Sequence, residues 1–224
     1  MKTVKTATCI LEMNPARAAQ KRGFTIIELL VVIAIMAVVA GLIVGLAGVA
    51  GDNKKIKRTE AELAKLVLLI EQYKTKVGVY PPGNPNGNRP ERNVLLYELA
   101  GAIRKPGPIY STPFADINLT DLQTQFGLDG IVNARDEGNV DPDANRSYPI
   151  LKNLKSDQSA VAFGTNVSLS VPIDGPNGRP NPWNYRLGNP TNTHNPESFD
   201  VWVEIKLGMT NGVPKTKTIG NWKN

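Results

Sequence analysis

From Leu29 to Gly51 the chain reads LLVVIAIMAVVAGLIVGLAGVAG, 23 residues without an Asp, Glu, Lys or Arg. About 20 apolar helical residues are enough to cross the hydrocarbon core of a bilayer, so this run predicts a membrane segment. Beyond Gly51 the pattern changes. Ile56, Leu63, Leu66, Val67, Ile70, Tyr73 and Val77 recur at spacings of three, four and seven, while Lys54, Lys55, Lys57, Arg58, Glu62, Lys65 and Lys76 fall mostly off that stripe. This is the pattern of an amphipathic continuation of the same helix. One of the 17 prolines is Pro15 and the other 16 follow residue 80, so nothing interrupts residues 16–80. A helix from Phe24 to about Val77 would form a rod of roughly 80 Å. GVYPPGNPNGN, from Gly78 to Asn88, ends it with glycine, two consecutive prolines and turn formers. The amphipathic half needs a partner for its apolar stripe, either a head domain of the same chain or neighbouring copies.

The remainder is rich in turn residues. Arg92–Lys105, RNVLLYELAGAIRK, has apolar residues at helical spacing with bases near its end and predicts one helix. Val167–Val171 alternates and predicts a strand, as do Tyr185–Leu187, Ser198–Lys206 and Thr216–Ile219. In the third of these, Phe199, Val201 and Val203 fall on one face and Asp200, Trp202 and Glu204 on the other. The expected fold is α+β: a long N-terminal helix followed by a head with a small antiparallel sheet packed on it.

Composition narrows the function. With 224 residues, a large multidomain enzyme is not expected. The net charge of +6 looks like a nucleic-acid footprint until it is located. Residues 1–23 hold Lys2, Lys5, Arg17, Lys21 and Arg22 against Glu12, for +4, and residues 24–224 carry only +2. No nucleic-acid partner is expected. Lys21 and Arg22 just before the apolar run put the N-terminus in the cytoplasm and everything after Asp52 on the far side. Cys9 is the single cysteine, so the chain forms no internal disulfide and offers no multi-thiolate zinc site.

Catalytic groupings are poor. His194 is the only histidine and sits in the loop Pro190-Thr-Asn-Thr-His-Asn-Pro, where a solvated side chain outweighs a base or ligand. Asp129, Asp136, Glu137, Asp141 and Asp143 cluster near Gly130 and Gly138, but out of register with an EF-hand loop. There is no G-x-S-x-G, Walker or G-x-G-x-x-G signature, and no enzyme is expected.

The most specific signal precedes the apolar run. Arg22-Gly23-Phe24-Thr25-Ile26-Ile27-Glu28-Leu29-Leu30 resembles the class III signal of type IV prepilins: a basic leader, a glycine, a phenylalanine, and a glutamate four residues later at the mouth of an apolar helix. The resemblance implies that a membrane aspartyl prepilin peptidase cuts after Gly23 on the cytoplasmic side and methylates the new amine of Phe24, while the apolar helix is retained. Met13 as an alternative start would give an 11-residue leader. A carboxylate in a membrane segment costs up to about 3 kcal/mol at the centre and less near the interface, and tends to be paired. Cleavage creates an amine close to Glu28, so in a staggered parallel bundle one subunit's Glu28 can meet the next subunit's Phe24 amine. Gly41, Gly45 and Gly48 either let membrane helices approach closely or loosen the helix where it moves from lipid into a filament.

Further along, Arg179-Pro-Asn-Pro-Trp-Asn-Tyr-Arg-Leu resembles the D-P-W-G-x-P-Y-x-Y region of major (G-type) pseudopilins of type II secretion. Phe199-Asp200-Val201-Trp202-Val203 is similar to their following strand, Thr218-Ile219-Gly220-Asn221-Trp222 to their closing segment, and Tyr80-Pro81-Pro82 to the stop after their helix. The resemblance implies a pilin-like fold divided into a leader (1–23), the transmembrane part of the helix (24–51), its periplasmic amphipathic part (52–77) and a head (78–224) expanded at about 90–171. It implies a subunit of a homo-oligomeric periplasmic filament, anchored in the inner membrane, with prepilin peptidase, an assembly platform and minor pseudopilins as partners. Rival readings are a type IV pilin for adhesion, motility or DNA uptake, and a membrane-anchored periplasmic binding domain or enzyme. The family's calcium loop departs here: Lys206–Thr218 offers Asn211 and backbone carbonyls, but Lys215 and Lys217 repel a dication, so no cofactor is expected. Either lysine could instead pair with Glu204 or Asp200.

Overall fold

The structure, a computed structural model, describes residues 24–85, 89–141, 145–189, 191, 194–210 and 212–222, with the backbone alone at 42–49 and 210. The expected leader and Gly23 lie outside the described residues. Helix α1 spans Ile26–Val77. The chain divides into two compact units, one ending at Leu46 and the other beginning at Ala47.

In the first unit, apolar side chains from Ile26 to Val39 are exposed, and α1 stays helical through Gly41 and Gly45. Among the described residues, no helix is long and apolar enough to cross a membrane. The expected segment Leu29–Gly51 includes 42–49, whose side chains lie outside the described residues.

The second unit answers the question of what covers the amphipathic half of α1. Leu63, Leu66, Ile70 and Tyr73, spaced three, four and three apart, are buried in the same core as Val201, Val203 and Ile205. The helix packs on its own head. Gly78, at φ 92°, ends it by donating its N–H to the Lys74 carbonyl at 2.8 Å, a conformation that favours glycine.

The head continues with α2 (Leu95–Ala100), β1 (Ala102–Lys105), β2 (Ile109–Ser111), β3 (Asp116–Asn118), a short α3 (Leu119–Asp121) running into a π-turn at Leu122–Phe126, and β4 (Ala134–Asp136). It ends with β5 (Ser159–Phe163), β6 (Asn166–Leu169), β7 (Asn184–Leu187), β8 (Phe199–Thr210) and β9 (Val213–Gly220). The three strands β7, β8 and β9 form an antiparallel sheet with β8 in the centre, in a register that sets Tyr185 opposite Val201 and Val203 opposite Ile219. Alternation along β8 buries Phe199, Val201, Val203, Ile205 and Leu207. A register shift between Lys206 and Met209 lets the Gly208 N–H leave the ladder and donate to Asp52 of α1 at 2.8 Å. Strands β5 and β6 form an antiparallel pair.

One expectation is corrected. Arg92–Lys105 is not one helix: Gly101 adopts φ 73°, ends α2 after Ala100, and hands Ala102–Lys105 to a strand. The middle of the chain also holds a four-stranded sheet in the order β3-β2-β1-β4, in which β1 and β4 pair in parallel.

Candidate functional site

Thr25 and Glu28 close the N-terminal end of α1 on themselves. The Glu28 carboxylate accepts from the Thr25 backbone N–H and hydroxyl, both at 2.8 Å, and the Thr25 hydroxyl oxygen accepts from the Glu28 N–H at 3.3 Å. This is a reciprocal capping box, which satisfies donors that the first helical turn leaves without partners. The role of Thr25 was legible as Thr-x-x-Glu ahead of an apolar run and was missed. Both Thr25 donors use the same carboxylate oxygen, Oε2, so Oε1 remains for a donor from outside the chain. Phe24, immediately before the cap, is 89% exposed. Beyond the backbone of its own helix and its two chain neighbours, no described residue comes within 4 Å of where a Cβ would stand on Gly41.

In the head, the structure separates the polar residues that the sequence placed in loops. Asp200 is buried, although alternation put it on the outer face. Its carboxylate accepts from the backbone N–H groups of His194 (2.7 Å) and Asn195 (3.0 Å) and from Asn195 Nδ2 (2.8 Å). The 194–195 segment thus folds over it, and Asp200 is not the partner of Lys215 or Lys217. The His194 ring stacks on Trp222 with centroids 4.0 Å apart, and Trp222 meets Trp202 edge-on at 5.7 Å. Trp183 is buried, whereas Trp202 and Trp222 are half-buried. The stretch compared with a calcium loop forms most of the β8–β9 hairpin, with Lys206 opposite Thr216 and Thr210 opposite Val213. Asn211 lies outside the described residues, as does Asp143 of the acidic cluster; Asp136 of that cluster faces Arg104 at 3.8 Å.

A second buried acid, in α2, has no local signal in the sequence. Glu98 of α2 has no exposure, and its carboxylate accepts from the Tyr73 hydroxyl (2.7 Å), the Val132 N–H (2.8 Å) and the Asn133 N–H (2.9 Å). Burial raises its pKa above the ordinary carboxylate value, against the opposing pull of these three donors. Burial, with the neighbouring Glu98 charge, pushes the Tyr73 phenol up as well. Asn133 completes the junction by donating from Nδ2 to the carbonyls of Glu98 (2.7 Å) and Tyr148 (2.8 Å). Glu98 thereby ties α1 to α2 and to the segment entering β4. Its surroundings are those of a structural junction.

A family model of the prokaryotic N-terminal methylation motif matches residues 19–44. That span contains Gly23, Phe24, the Thr25–Glu28 cap and the apolar start of α1. The match supports a type IV pilin-like protein, a pilin or a pseudopilin, with a class III signal that implies processing by prepilin peptidase and membrane-associated assembly. No curated protein and no solved structure matches the chain.

Proposed function

We propose that the chain is the structural subunit of a periplasmic pseudopilus acting in type II protein secretion, and that it works by assembly rather than catalysis. The observation that carries this reading is the placement of Gly23-Phe24 and the capped Glu28 at the head of an uncharged helix, within the matched methylation motif. Cleavage after Gly23 leaves the Phe24 amine one residue before the cap. Methylated and still basic, that amine carries a positive charge into the membrane with the negative charge of Glu28. In a bundle of parallel helices, the free Oε1 of one Glu28 accepts the amine of the next subunit, and both charges are neutralised only by assembly.

Residues 24–51 are assigned to the inner membrane and residues 52–224 to the periplasm. Bases flank the uncharged run on both sides, Lys21 and Arg22 before it and Lys54, Lys55, Lys57 and Arg58 after it. The orientation therefore rests on the signal, whose peptidase acts on the cytoplasmic side, more than on the count of bases. The C-terminal likenesses at Arg179–Leu187 and Thr218–Trp222 favour the pseudopilin over the adhesive or motile pilin.

Assembly with a cognate inner-membrane platform tests the reading. Glu28→Ala should leave cleavage and the head intact yet lower filament number at least tenfold. Thr25→Ala removes one half of the cap, at about 1 kcal/mol, and should leave filaments numerous because the carboxylate remains. Normal filaments from Glu28→Ala, counted by electron microscopy, would refute the charge-pairing role.

A further inference from the structure

At the start of the second unit a pocket of about 280 Å³ opens between α1 and the 172–179 segment. Four cations line it, Lys54, Lys55, Arg58 and Arg179, with one acid, Asp174. Its wall is held in place from several sides. The Asp174 carbonyl accepts from the Lys206 N–H at 2.7 Å, and Lys55 Nζ donates to the Lys206 carbonyl at 3.1 Å, so helix and wall meet on one residue of β8. Gly175 and Gly178 exchange both backbone hydrogen bonds at 3.0 Å, and Asn181 Nδ2 donates to the carbonyls of Ile173 and Glu204. Arg179 donates from Nε to Asp174 and from Nη2 to the Pro172 carbonyl, each at 2.7 Å, which fixes its guanidinium in advance of any ligand.

Arg58 is paired with Asp157 at 2.8 Å and Arg179 with Asp174. The charges of Lys54 and Lys55 are left without an acidic partner among the described residues, so the pocket carries an excess of positive charge. A pocket with a hydrogen-bonded wall and uncompensated cations is suited to an anion. Its position says which one. Gly51, the last residue of the uncharged run, is part of the lining, and Lys54 follows it by about 4.5 Å along the helix axis. On the membrane-anchored reading above, on which this inference rests, that is the depth at which hydrocarbon gives way to headgroups.

We propose that this pocket binds the phosphate of an anionic phospholipid headgroup and so fixes the depth and rotation of the helix where it leaves the bilayer. Diffuse attraction to a charged surface would need only exposed lysines; a bounded pocket predicts retention of one lipid per chain.

Native mass spectrometry of the full chain, extracted from membranes, tests this with three probes: phosphatidylglycerol, phosphatidylcholine and inorganic phosphate. One phosphatidylglycerol should be retained in preference to phosphatidylcholine. Lys54→Gln and Arg179→Gln should each lower that retention about fivefold, as expected for one cation near an anionic headgroup. Lys76→Gln, about 33 Å further along α1, should not change it. Since Arg179 also braces the 172–179 segment, Lys54→Gln, at an exposed side chain, is the decisive variant if Arg179→Gln lowers the melting temperature. Equal retention of the two lipids, undiminished retention by Lys54→Gln, or binding of inorganic phosphate without lipid would overturn the proposal. A chain found in membranes but without selective lipid refutes the pocket alone; a chain recovered from the soluble fraction refutes the membrane reading with it.

Discussion

At the residue scale, Glu28 and Glu98 are carboxylates in opposite circumstances. Glu28 is exposed at a helix start, where two donors from Thr25 occupy one of its oxygens and leave the other for a neighbour. Glu98 is enclosed, with all its donors inside the chain. Because burial raises its pKa, the native state keeps the Glu98 proton to a higher pH than the unfolded chain, which releases it near 4.5. The resulting stabilisation is complete below about that pH and is lost as pH rises through the raised native value. Glu98→Gln removes the titration. In urea unfolding followed by the fluorescence of Trp183, Trp202 and Trp222, the unfolding free energy of the wild type minus that of Glu98→Gln should fall as pH climbs from 4.5. A difference that is flat or rising would contradict the raised pKa. The sequence marked Glu28 because its setting, an acid opening an uncharged run, is local. It could not mark Glu98, whose partners Tyr73, Val132 and Asn133 lie 25 to 35 residues away.

At the element scale, the legible elements are those whose period is long enough to read. The stripe from Leu63 to Tyr73 placed the buried face of α1, and Phe199, Val201 and Val203 placed that of β8. Asp200 broke the alternation because the 194–195 backbone supplies it with donors, which no strand pattern records. Strands β1 to β4 have only three or four residues each, too few for a period, and β4 joins β1 through a pairing distant in sequence. Gly101 looked like a tolerated glycine within a helix. Its positive φ and the Tyr148 carbonyl carbon, 3.1 Å from where a Cβ would stand, make it a stop. Burial of the α1 stripe inside the chain predicts that Ile70→Ala costs about 2–5 kcal/mol. Leu68→Ala, at a side chain 57% exposed, should cost about 0.5 kcal/mol or less. Equal losses in denaturant titrations would show that the stripe is not packed as described. The β8–β9 ladder spans the stretch where a calcium loop was compared, so the melting temperature should be the same in excess calcium and in chelator. A calcium-dependent rise of several degrees would place a site there.

At the scale of the whole molecule, the two units differ in what they bury. The second has its own core, to which α1, α2, β1, β2, β3, the Leu122–Phe126 turn, β6 and the β7–β9 sheet all contribute. The first leaves Phe24, Ile26, Ile27 and the apolar residues to Val39 exposed, a surface that water does not tolerate without a cover of lipid or other copies. The sequence carried that contrast openly, through an uncharged run beside an amphipathic one. It did not carry the architecture of residues 90–171, where turn residues frame strands too short to recognise. Processing and membrane assembly as a pilin-like subunit both depend on one peptide bond, that between Gly23 and Phe24. Intact-mass analysis of the chain extracted from membranes of a host with active prepilin peptidase reads that bond directly. Processing predicts the mass of residues 24–224 plus one methyl group, with the +4 leader gone. A chain that still begins at Met1 or Met13 in such a host would contradict it.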